Sequence, residues 1–457
     1  MYSIHTFLLQ KELFRSSEPV KTSVVSSFTD TPALQQIARQ ADSDYILFYT
    51  GTSPIELHPY AIGRMYQIAE SNDGALFYSD YQEIRQGKKI HHPTLEYQTG
   101  SIRNDFDFGQ LLLFRNDSFQ QVVAQMNTDY RFAALYELRL SISRLGKIVH
   151  IPETLYTVQP TDLRLSGEKQ FDYVDPANRE VQLEMEAVCT AHLQAIGAWL
   201  APEFQRIDFG QENFAREASV IIPVRNRKRT IAEAVESALQ QQTDFSFNVI
   251  VVDNHSTDGT GQILTELSRR YPNLIHHIPA STELGIGGCW TEAILLPECG
   301  KFAIQLDSDD LYKDCHVLQR IVDTFYQENC AMVIGSYQMV DFKLEEIPPG
   351  LIAHREWTPD NGRNNALRIN GLGAPRAFYT PVLRQIKFPN VSYGEDYATA
   401  LAISRKYLIA RIYDPLYLCR RWEENSDHDL DIQQLNNYNF YKDKIRTLEI
   451  QARISGK

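Results

Sequence analysis

The sequence predicts an α/β fold built on parallel sheets, and three features support this class. Short apolar runs alternate with amphipathic stretches from residue 218 onward, an order that produces parallel strands covered by helices. The chain has 457 residues, 43% of them hydrophobic, which is too long for one ordinary core and predicts two domains. Two segments 261 residues apart are similar, which indicates a repeated unit.

The elements of the second half can be followed from residue 218. The run ASVIIPV is a buried strand, and TIAEAVESALQQQ places its apolar residues on one helical face. Thr230 and Glu233, at the start of that helix, have the spacing of a capping box. The next strand, in FNVIVVDNHSTDGT, runs into Asp253 and Asn254 before a second helix. Such sheets bind ligands beyond the carboxyl ends of their strands, where these two residues fall.

The amino-acid composition restricts which partners the protein is expected to bind and where in the cell it is expected to lie. A net charge of -13 and a pI near 5.4 argue against a nucleic-acid or anionic-membrane surface. The six cysteines form no CxxC pair, and the start of the chain lacks the apolar core of a signal peptide, so we expect a reduced, cytoplasmic protein. No window reaches 18 apolar residues, so no transmembrane segment is expected and membrane contact would be peripheral.

The similar segments predict a tandem duplication. YELRLSISRLGKIVHIPETLY (136–156) and YATALAISRKYLIARIYDPLY (397–417) share nine of 21 residues without a gap. YILFYTGTS (45–53) and FAIQLDSDD (302–310) align at a similar offset, and the acids of the second copy are absent from the first. The first copy, from about residue 22 to 158, has no clear counterpart of the SVIIP opening. We therefore expect one active copy and one degenerate copy.

Three carboxylates in four positions follow the buried run FAIQL. Asp307, Asp309 and Asp310 would repel one another unless a hard divalent cation lay among them, and such oxygen-rich sites suit Mg²⁺ or Mn²⁺ bridging a diphosphate. A solvated turn with a capping aspartate is the alternative. Asp253 and Asn254 could likewise be ordinary Asx-turn residues or could read the edge of a nucleotide base.

Four motifs in order resemble family 2 glycosyltransferases of the GT-A fold. They are SVIIPVRN (219–226), VVDNHSTDGT (251–260), LDSDD (306–310) and YGEDYATAL (393–401). The resemblance implies a Rossmann-like nucleotide-diphospho-sugar transferase domain, preceded here by a second, degenerate GT-A-like domain. It implies a site with nucleotide contacts at Pro223, Val224, Asn226, Asp253, Asn254, Asp307 and Ser308, a metal (Mn²⁺ or Mg²⁺) on Asp307 and Asp309, Asp396 as catalytic base with Glu395 beside it, and acceptor or phosphate contacts at Arg376, Arg420 and Arg421.

The chain departs from the family pattern at two motifs. GIGGCWTEAI (285–294) has Cys289, Trp290 and Thr291 where many members carry Ala-Arg-Asn, so a basic donor contact is missing. LCRRWEENSDH (418–428) is similar to the QxxRW motif of processive synthases, but Leu418 replaces the glutamine, so processivity is not expected. His428 is a weak candidate for an extra metal ligand.

The resemblance implies an inverting, metal-dependent transfer of a sugar from a nucleotide-sugar donor, UDP-linked, to a hydroxyl group. The acceptor would be a glycan, a lipid-linked sugar or a protein, and a homodimer is left open. Two alternatives remain: a sugar nucleotidyltransferase, although its glycine-rich, lysine-bearing loop is not found, and a catalytically retired glycan- or nucleotide-binding scaffold. The expected domains are a degenerate copy (1–160), a helical connector (161–216), the catalytic domain (217–430) and a C-terminal helix (431–457).

Overall fold

The computed structural model describes residues 2–159, 178–210, 212–422 and 431–456. The chain divides into two compact units. The first unit comprises Met1–Trp199 and Leu430–Lys457, and the second comprises Leu200–Asp429. Strands and helices alternate in both, so the predicted α/β class is confirmed. Among the described helices, none combines the length and apolar character needed to cross a bilayer.

The first unit begins with a mixed sheet and its covering helices. Its described strands are β1 (Ile4–Leu8), β2 (Phe14–Arg15), β3 (Lys21–Val24), β4 (Tyr45–Tyr49), β5 (Ile55–Leu57), β6 (Gly74–Arg85), β7 (Lys88–His92), β8 (Leu111–Arg115) and β9 (Lys147–Val158). Its helices up to residue 199 are α1 (Thr31–Gln40), α2 (Ala61–Glu70), α3 (Asn116–Val123), α4 (Ala134–Leu145) and α5 (Arg179–Ala195).

The second unit is a second mixed sheet with helices. Its described strands are β10 (Ala218–Val224), β11 (Phe247–Asp253), β12 (Leu274–His277), β13 (Phe302–Gln305), β14 (Leu311–Tyr312), β15 (Met332–Val340), β16 (Glu346–Ile352), β17 (Arg376–Tyr379) and β18 (Ile409–Arg420). Its helices are α6 (Ile231–Leu239), α7 (Thr260–Arg270), α8 (Ile286–Leu295), α9 (Val317–Glu328), α10 (Gly362–Asn365), α11 (Thr380–Ile386) and α12 (Glu395–Ser404).

The strand order of the second unit is β12-β11-β10-β13-β17-β15-β18-β14, with β16 on β15. Strands β12, β11, β10 and β13 run parallel, and β17 is antiparallel to both β13 and β15. Strands β10, β11 and β13 are almost wholly buried because helices cover such a sheet on both faces, which explains why they are nearly continuous apolar runs. Their carboxyl ends meet at one edge of the sheet.

The first unit repeats this arrangement. Its order β3-β1-β4-β8-β6-β9-β5, with β7 on β6, matches β11-β10-β13-β17-β15-β18-β14, with β16 on β15, and each pair has the same sense. Strand β1, IHTFL, takes the place of β10, so the copy begins before residue 22. The shared topology supports the predicted duplication, and the loss of activity in the first copy stays a prediction.

A last helix, α13 (Ile432–Ile454), belongs to the first unit and packs on it through polar side chains. Asp443 accepts hydrogen bonds from Ser101 Oγ at 3.0 Å and from Arg103 Nε at 3.2 Å, and all three residues are buried. Gly100 N donates to Thr447 Oγ1 at 2.9 Å. The network satisfies a charge that would be costly to bury alone. The predicted limits of the four domains stay a prediction.

The predicted capping box at the start of α6 is wrong. Thr230 is the N-cap residue, but its side chain caps no helix N–H group. Instead, Thr230 Oγ1 donates to the carbonyl of Ser308 at 2.9 Å, and Glu233 accepts from Arg420. Thr230 therefore contacts the acidic segment after β13 directly, and Glu233 contacts it through Arg420.

Candidate active site

The loops after β10 and β11 form one interlocked surface at the carboxyl edge of the sheet. Asn226, with φ of 55°, donates its N–H to Ser256 Oγ at 2.9 Å, and its side-chain oxygen accepts from Thr257 N at 2.8 Å. Asn254 N donates to the carbonyl of Val224 at 2.8 Å. These contacts place the predicted nucleotide-binding residues of both loops side by side, together with Pro223 at the end of β10.

Asp253 and Asn254 are buried, at 2% and 7% exposure, and most of their polar atoms are used within the protein. Asp253 Oδ1 accepts from Ser256 N at 2.9 Å, and Oδ2 lies 3.3 Å from His276 Nε2. Burial alone would raise the pKa of the Asp253 carboxyl, but the hydrogen bonds from His276 and Ser256 outweigh it and its pKa is lowered. Asn254 Nδ2 donates to the Leu284 carbonyl at 2.7 Å, while its Oδ1 is buried with no donor among the described residues.

The acidic segment after β13, which contains Asp307, Asp309 and Asp310, is fixed by hydrogen bonds to each of these residues. Asp307 accepts from Gln305 Nε2 at 2.8 Å through its side chain, and its N–H donates to Tyr417 Oη at 2.9 Å. Asp309 Oδ2 accepts from Trp422 Nε1 at 3.2 Å. Asp310 is buried and accepts from the backbone N–H of Arg420 at 2.8 Å.

The carboxylates of this segment repel one another. Burial, and next the charge of Asp307, raise the pKa of Asp309. Burial, and next the charges of Asp309 and Asp307, raise the pKa of Asp310 well above its usual range. A bound cation would relieve this repulsion. Burial and mutual repulsion therefore both increase the proton affinity of Asp309 and Asp310.

Asp307 and Asp309 fit a divalent cation that arrives with a phosphate. Hard carboxylate oxygens are the donors that Mg²⁺ and Mn²⁺ prefer, and Mg²⁺ is usually held by one or two carboxylates plus substrate phosphates. Within the ranges that the structure describes, no group of three or more His, Cys, Asp or Glu side chains could hold a metal ion. A metal at Asp307 and Asp309 therefore stays a prediction.

A polar chain links the acidic segment to Asp396. Arg376 NH1 donates to Asp396 Oδ2, and Arg376 Nε donates to Gln305 Oε1 at 2.9 Å. Gln305 in turn holds Asp307. Strand pairing creates this chain, because β17 lies antiparallel to β13 and sets Arg376 beside Gln305. The predicted base and the predicted metal ligand therefore lie at the same edge of the sheet.

Asp396 and its neighbour Glu395 occupy different environments at the start of α12. The side chain of Asp396 is 25% exposed, whereas Glu395 as a whole is 9% exposed. Glu395 lies against α8: a Cβ added to Gly287 would come within 2.9 Å of Glu395 Cβ. Asp396 contacts the polar chain through Arg376.

The two arginines at the end of β18 also differ. Arg420 is 1% exposed, and its guanidinium donates to the carbonyl of Asp309 and to Glu233. It therefore supports the acidic segment from within the protein. The backbone N–H of Arg421 donates to the Val340 carbonyl at 2.9 Å. Contacts of either guanidinium with phosphate or acceptor stay a prediction, and His428 lies outside the described residues.

The residues at 289–291, where the chain departs from the family pattern, pack in the protein core. Trp290 is 5% exposed, and its ring lies 5.7 Å from that of Phe378 and 5.2 Å from that of Phe388. Phe388 N donates to Thr291 Oγ1 at 3.3 Å. These positions therefore pack α8 against β17 and the segment after α11.

Sequence reasoning missed several residues that complete the site. Gln305, Tyr417, Trp422 and Arg227 contact the acidic segment directly. Gln305 carried a signal, because a polar residue inside the buried run FAIQL needs a partner. The other three come from distant segments, and nothing in their local sequence indicates the contact.

The comparisons with known proteins locate a family within the second unit. The family described as "Glycosyl transferase family 2" matches residues 219–386. An uncharacterised glycosyltransferase of Nostoc sp. is 32% identical over 123 residues, covering 27% of this chain and 37% of the relative. The poly(ribitol-phosphate) beta-glucosyltransferase of Bacillus spizizenii is 24% identical over 230 residues, covering 49% of this chain and 35% of the relative. The chain thus spans little more than a third of these two relatives.

A putative teichuronic acid biosynthesis glycosyltransferase of Bacillus subtilis is 26% identical over 195 residues, covering 42% of this chain and 74% of the relative. Among solved structures, S. aureus TarS 1-349 in complex with UDP-GlcNAc is 23% identical with a TM-score of 0.40, covering 52% of this chain and 72% of that chain. The matched residues contain the strand ends described above. Residues 219–386 therefore match glycosyltransferase family 2, and this likeness lies within the second unit.

Proposed function

We propose that the second unit transfers a sugar from a nucleotide-sugar donor, UDP-linked, to a hydroxyl group during glycan or polysaccharide biosynthesis, with inversion at the anomeric carbon. One observation carries the proposal: the chain Asp307–Gln305–Arg376–Asp396 joins a candidate diphosphate site to a candidate base. Relatives named for poly(ribitol-phosphate) glucosylation and teichuronic acid biosynthesis support the polysaccharide class.

The donor would lie across the carboxyl ends of β10, β11 and β13. Asp253 and Asn254 and the interlocked loop at Asn226 would receive the nucleoside, where the unpartnered oxygen of Asn254 can accept a hydrogen bond. Asp307 and Asp309 would hold a Mg²⁺ or Mn²⁺ ion, which, when bound, stabilises charge on the departing diphosphate. Ser308, whose carbonyl is tied to Thr230, holds the segment in place.

Asp396 would act as the general base. Its carboxylate takes the proton of the acceptor hydroxyl, the oxygen forms a bond to the anomeric carbon, and the bond from that carbon to the phosphate oxygen breaks on the opposite face. The electron pair of that bond leaves with the nucleoside diphosphate. Arg376 orients Asp396 before the acceptor arrives, since it bonds both Asp396 and Gln305. A general base must lie within hydrogen-bond distance of the proton that it removes. The contact with Arg376 fixes the position from which Asp396 would do so.

The first unit would not catalyse transfer. At the topologically matching positions it has Phe48 for Gln305, Thr50 for Asp307, Leu112 for Arg376 and Leu135 for Asp396. Neutral side chains there offer neither a cation ligand nor a base. We infer that this unit retained the sheet and lost the chemistry.

Thermal unfolding with UDP or GDP, each with and without Mn²⁺, tests the proposal. A ligand at about 100 times its Kd adds roughly 2.7 kcal/mol of stability, which raises the Tm of a unit of this size by roughly 5 to 10 °C. UDP with Mn²⁺ should give this shift, and Asp309→Ala should remove its metal-dependent part. Asp360→Ala, an exposed acid of the same unit, is the matched control. A shift unchanged by Asp309→Ala would remove the metal-site proposal. A screen of nucleotide sugars for slow hydrolysis would then identify the donor.

A further inference from the structure

Four cations occur in five residues immediately after β10. Arg225, Arg227, Lys228 and Arg229, which we call the basic loop, stand in a chain whose net charge is -13. Like charges this close repel one another in the free protein. A set of this density in an acidic protein therefore indicates a ligand that supplies the opposite charge.

The protein itself supplies little of that charge. Among the described residues, the side chains of Arg225, Lys228 and Arg229 form no ion pair, and all three residues are exposed. Arg227 is the exception, since its Nε lies 3.8 Å from Asp309 Oδ2. Three cations of the basic loop are thus available to an external anion.

Arg229 of the basic loop makes cation–π contacts with two aromatic rings. The guanidinium of Arg229 lies 4.5 Å from the ring centroid of Phe342 and 5.4 Å from that of Trp422. The two rings are 5.3 Å apart and inclined at 70°. A guanidinium held beside aromatic rings keeps N–H groups that can bind oxyanions in a forked geometry. Phe342 and Trp422 therefore restrict Arg229 without consuming its donors.

Hydrogen bonds also fix the backbone of the basic loop. Arg227 N donates to Thr260 Oγ1 at 2.9 Å, and Lys228 N donates to Asp258 Oδ2 at 2.9 Å. Thr230 N donates to the carbonyl of Arg227 at 3.0 Å. A surface that is ordered before binding loses less conformational entropy when the ligand arrives.

We propose that the basic loop, with Phe342 and Trp422, binds the phosphate groups of an anionic acceptor polymer, an inference that rests on the proposed function. Its position supports this role, because Arg227 and Trp422 both contact Asp309 and so place the surface beside the reaction site. The cations of the loop exceed the charge of the one diphosphate that a nucleotide sugar carries. A chain of repeated phosphates provides charge at the required density.

Binding of a labelled poly(glycerol phosphate) chain to the full-length protein tests the proposal, with neutral dextran as the uncharged probe. Wild type should bind the charged chain, and affinity should fall with salt because counterions are released. Lys228→Gln/Arg229→Gln should weaken binding roughly tenfold and lower the salt slope by about 1 to 2. Arg269→Gln/Arg270→Gln removes two exposed cations elsewhere in the same unit and should behave as wild type.

Thermal shifts with UDP and Mn²⁺, recorded for the same proteins, separate the two sources of phosphate. If Lys228→Gln/Arg229→Gln keeps the full shift and loses polymer binding, the loop serves the acceptor. Loss of both would assign the loop to the donor and overturn the proposal. Equal binding of dextran, an equal effect of the control pair, or equal affinity for a single-stranded oligonucleotide would also overturn it. If wild type shows no shift with any nucleotide, it is the proposed function that fails, whatever the polymer result.

Discussion

Replacing Gln305 with leucine breaks the polar chain between the candidate diphosphate site and the candidate base. The glutamine is 3% exposed and makes three side-chain hydrogen bonds: one to Asp307 at 2.8 Å, one from Arg376 Nε at 2.9 Å and one from Arg376 N at 3.1 Å. Leucine has a similar size but can replace none of them. The change therefore removes polar contacts while leaving the packing of β13 nearly intact.

The size of the effect follows from those three bonds. The bonds to the Asp307 carboxylate and from the Arg376 guanidinium involve a charged group, and each contributes about 1.5 to 3 kcal/mol to stability. The bond from the backbone N–H of Arg376 is neutral and contributes about 1 kcal/mol. Arg376 remains 20% exposed at its side chain, so water can replace part of the loss. The added apolar burial offsets roughly another 1 kcal/mol. We expect Gln305→Leu to lower the free energy of unfolding of the second unit by about 2 to 4 kcal/mol.

Urea unfolding followed by tryptophan fluorescence measures this loss, since Trp290, Trp357 and Trp422 all lie in the second unit and only Trp199 lies in the first. Because Asp307 loses its orienting partner, the affinity for UDP with Mn²⁺ should also fall about 10- to 100-fold. Gln262→Leu, on the exposed face of α7, should change stability by less than about 0.5 kcal/mol. A Gln305→Leu protein as stable as that control, with unchanged nucleotide affinity, would refute the reasoning.

Three further outcomes are expected. Asp396→Asn should keep the UDP and Mn²⁺ shift while the transfer rate falls about 10²- to 10⁴-fold, and a fully active variant would mean that another group is the base. Trp290→Ala should destabilise the second unit by about 3 to 5 kcal/mol because it empties the space beside Phe378 and Phe388, whereas Trp290→Phe should cost much less. Burial, followed by the charges of Arg144 and Arg139, lowers the pKa of His192 from 6.5 to about 3. A lowered pKa means that the unfolded chain binds the proton first, so stability is lost as pH falls below 6.5; at pH 5 this histidine should cost about 2 kcal/mol, a cost that His192→Asn should abolish in denaturation curves at pH 5 and 7.5.

Local pattern was sufficient to predict the sheet edge and its acids. The buried runs that become β10, β11 and β13 are followed directly by residues of the candidate site, and the pattern indicates their place at the strand ends, whereas their roles came from the family resemblance. The antiparallel register that sets Arg376 beside Gln305 joins residues 71 apart in the chain, and no local pattern records it. The same holds for Trp422 and Arg227, which are distant in the chain and both contact Asp309.

Two features, the capping box of α6 and strand β1, were predicted wrongly for the same physical reason. In both, tertiary contacts determine the structure instead of local sequence preferences. Thr230 and Glu233 have a good capping spacing, yet the Ser308 carbonyl and Arg420 compete for them and prevail. Strand β1 was missed because IHTFL carries buried His5 and Thr6 in place of a purely apolar run. His5 Nε2 lies 2.8 Å from Ser23 Oγ, a contact on the neighbouring strand that only the folded sheet provides.

The return of α13 to the first unit has a consequence for synthesis on the ribosome. Ser101 waits for its partner Asp443 while 342 residues are added, which takes roughly 17 to 70 seconds at ordinary rates of translation. The second unit is continuous in sequence and emerges during that interval. Although most of the first unit precedes the second in sequence, it is therefore the later of the two to acquire all its native partners, the reverse of the usual vectorial order.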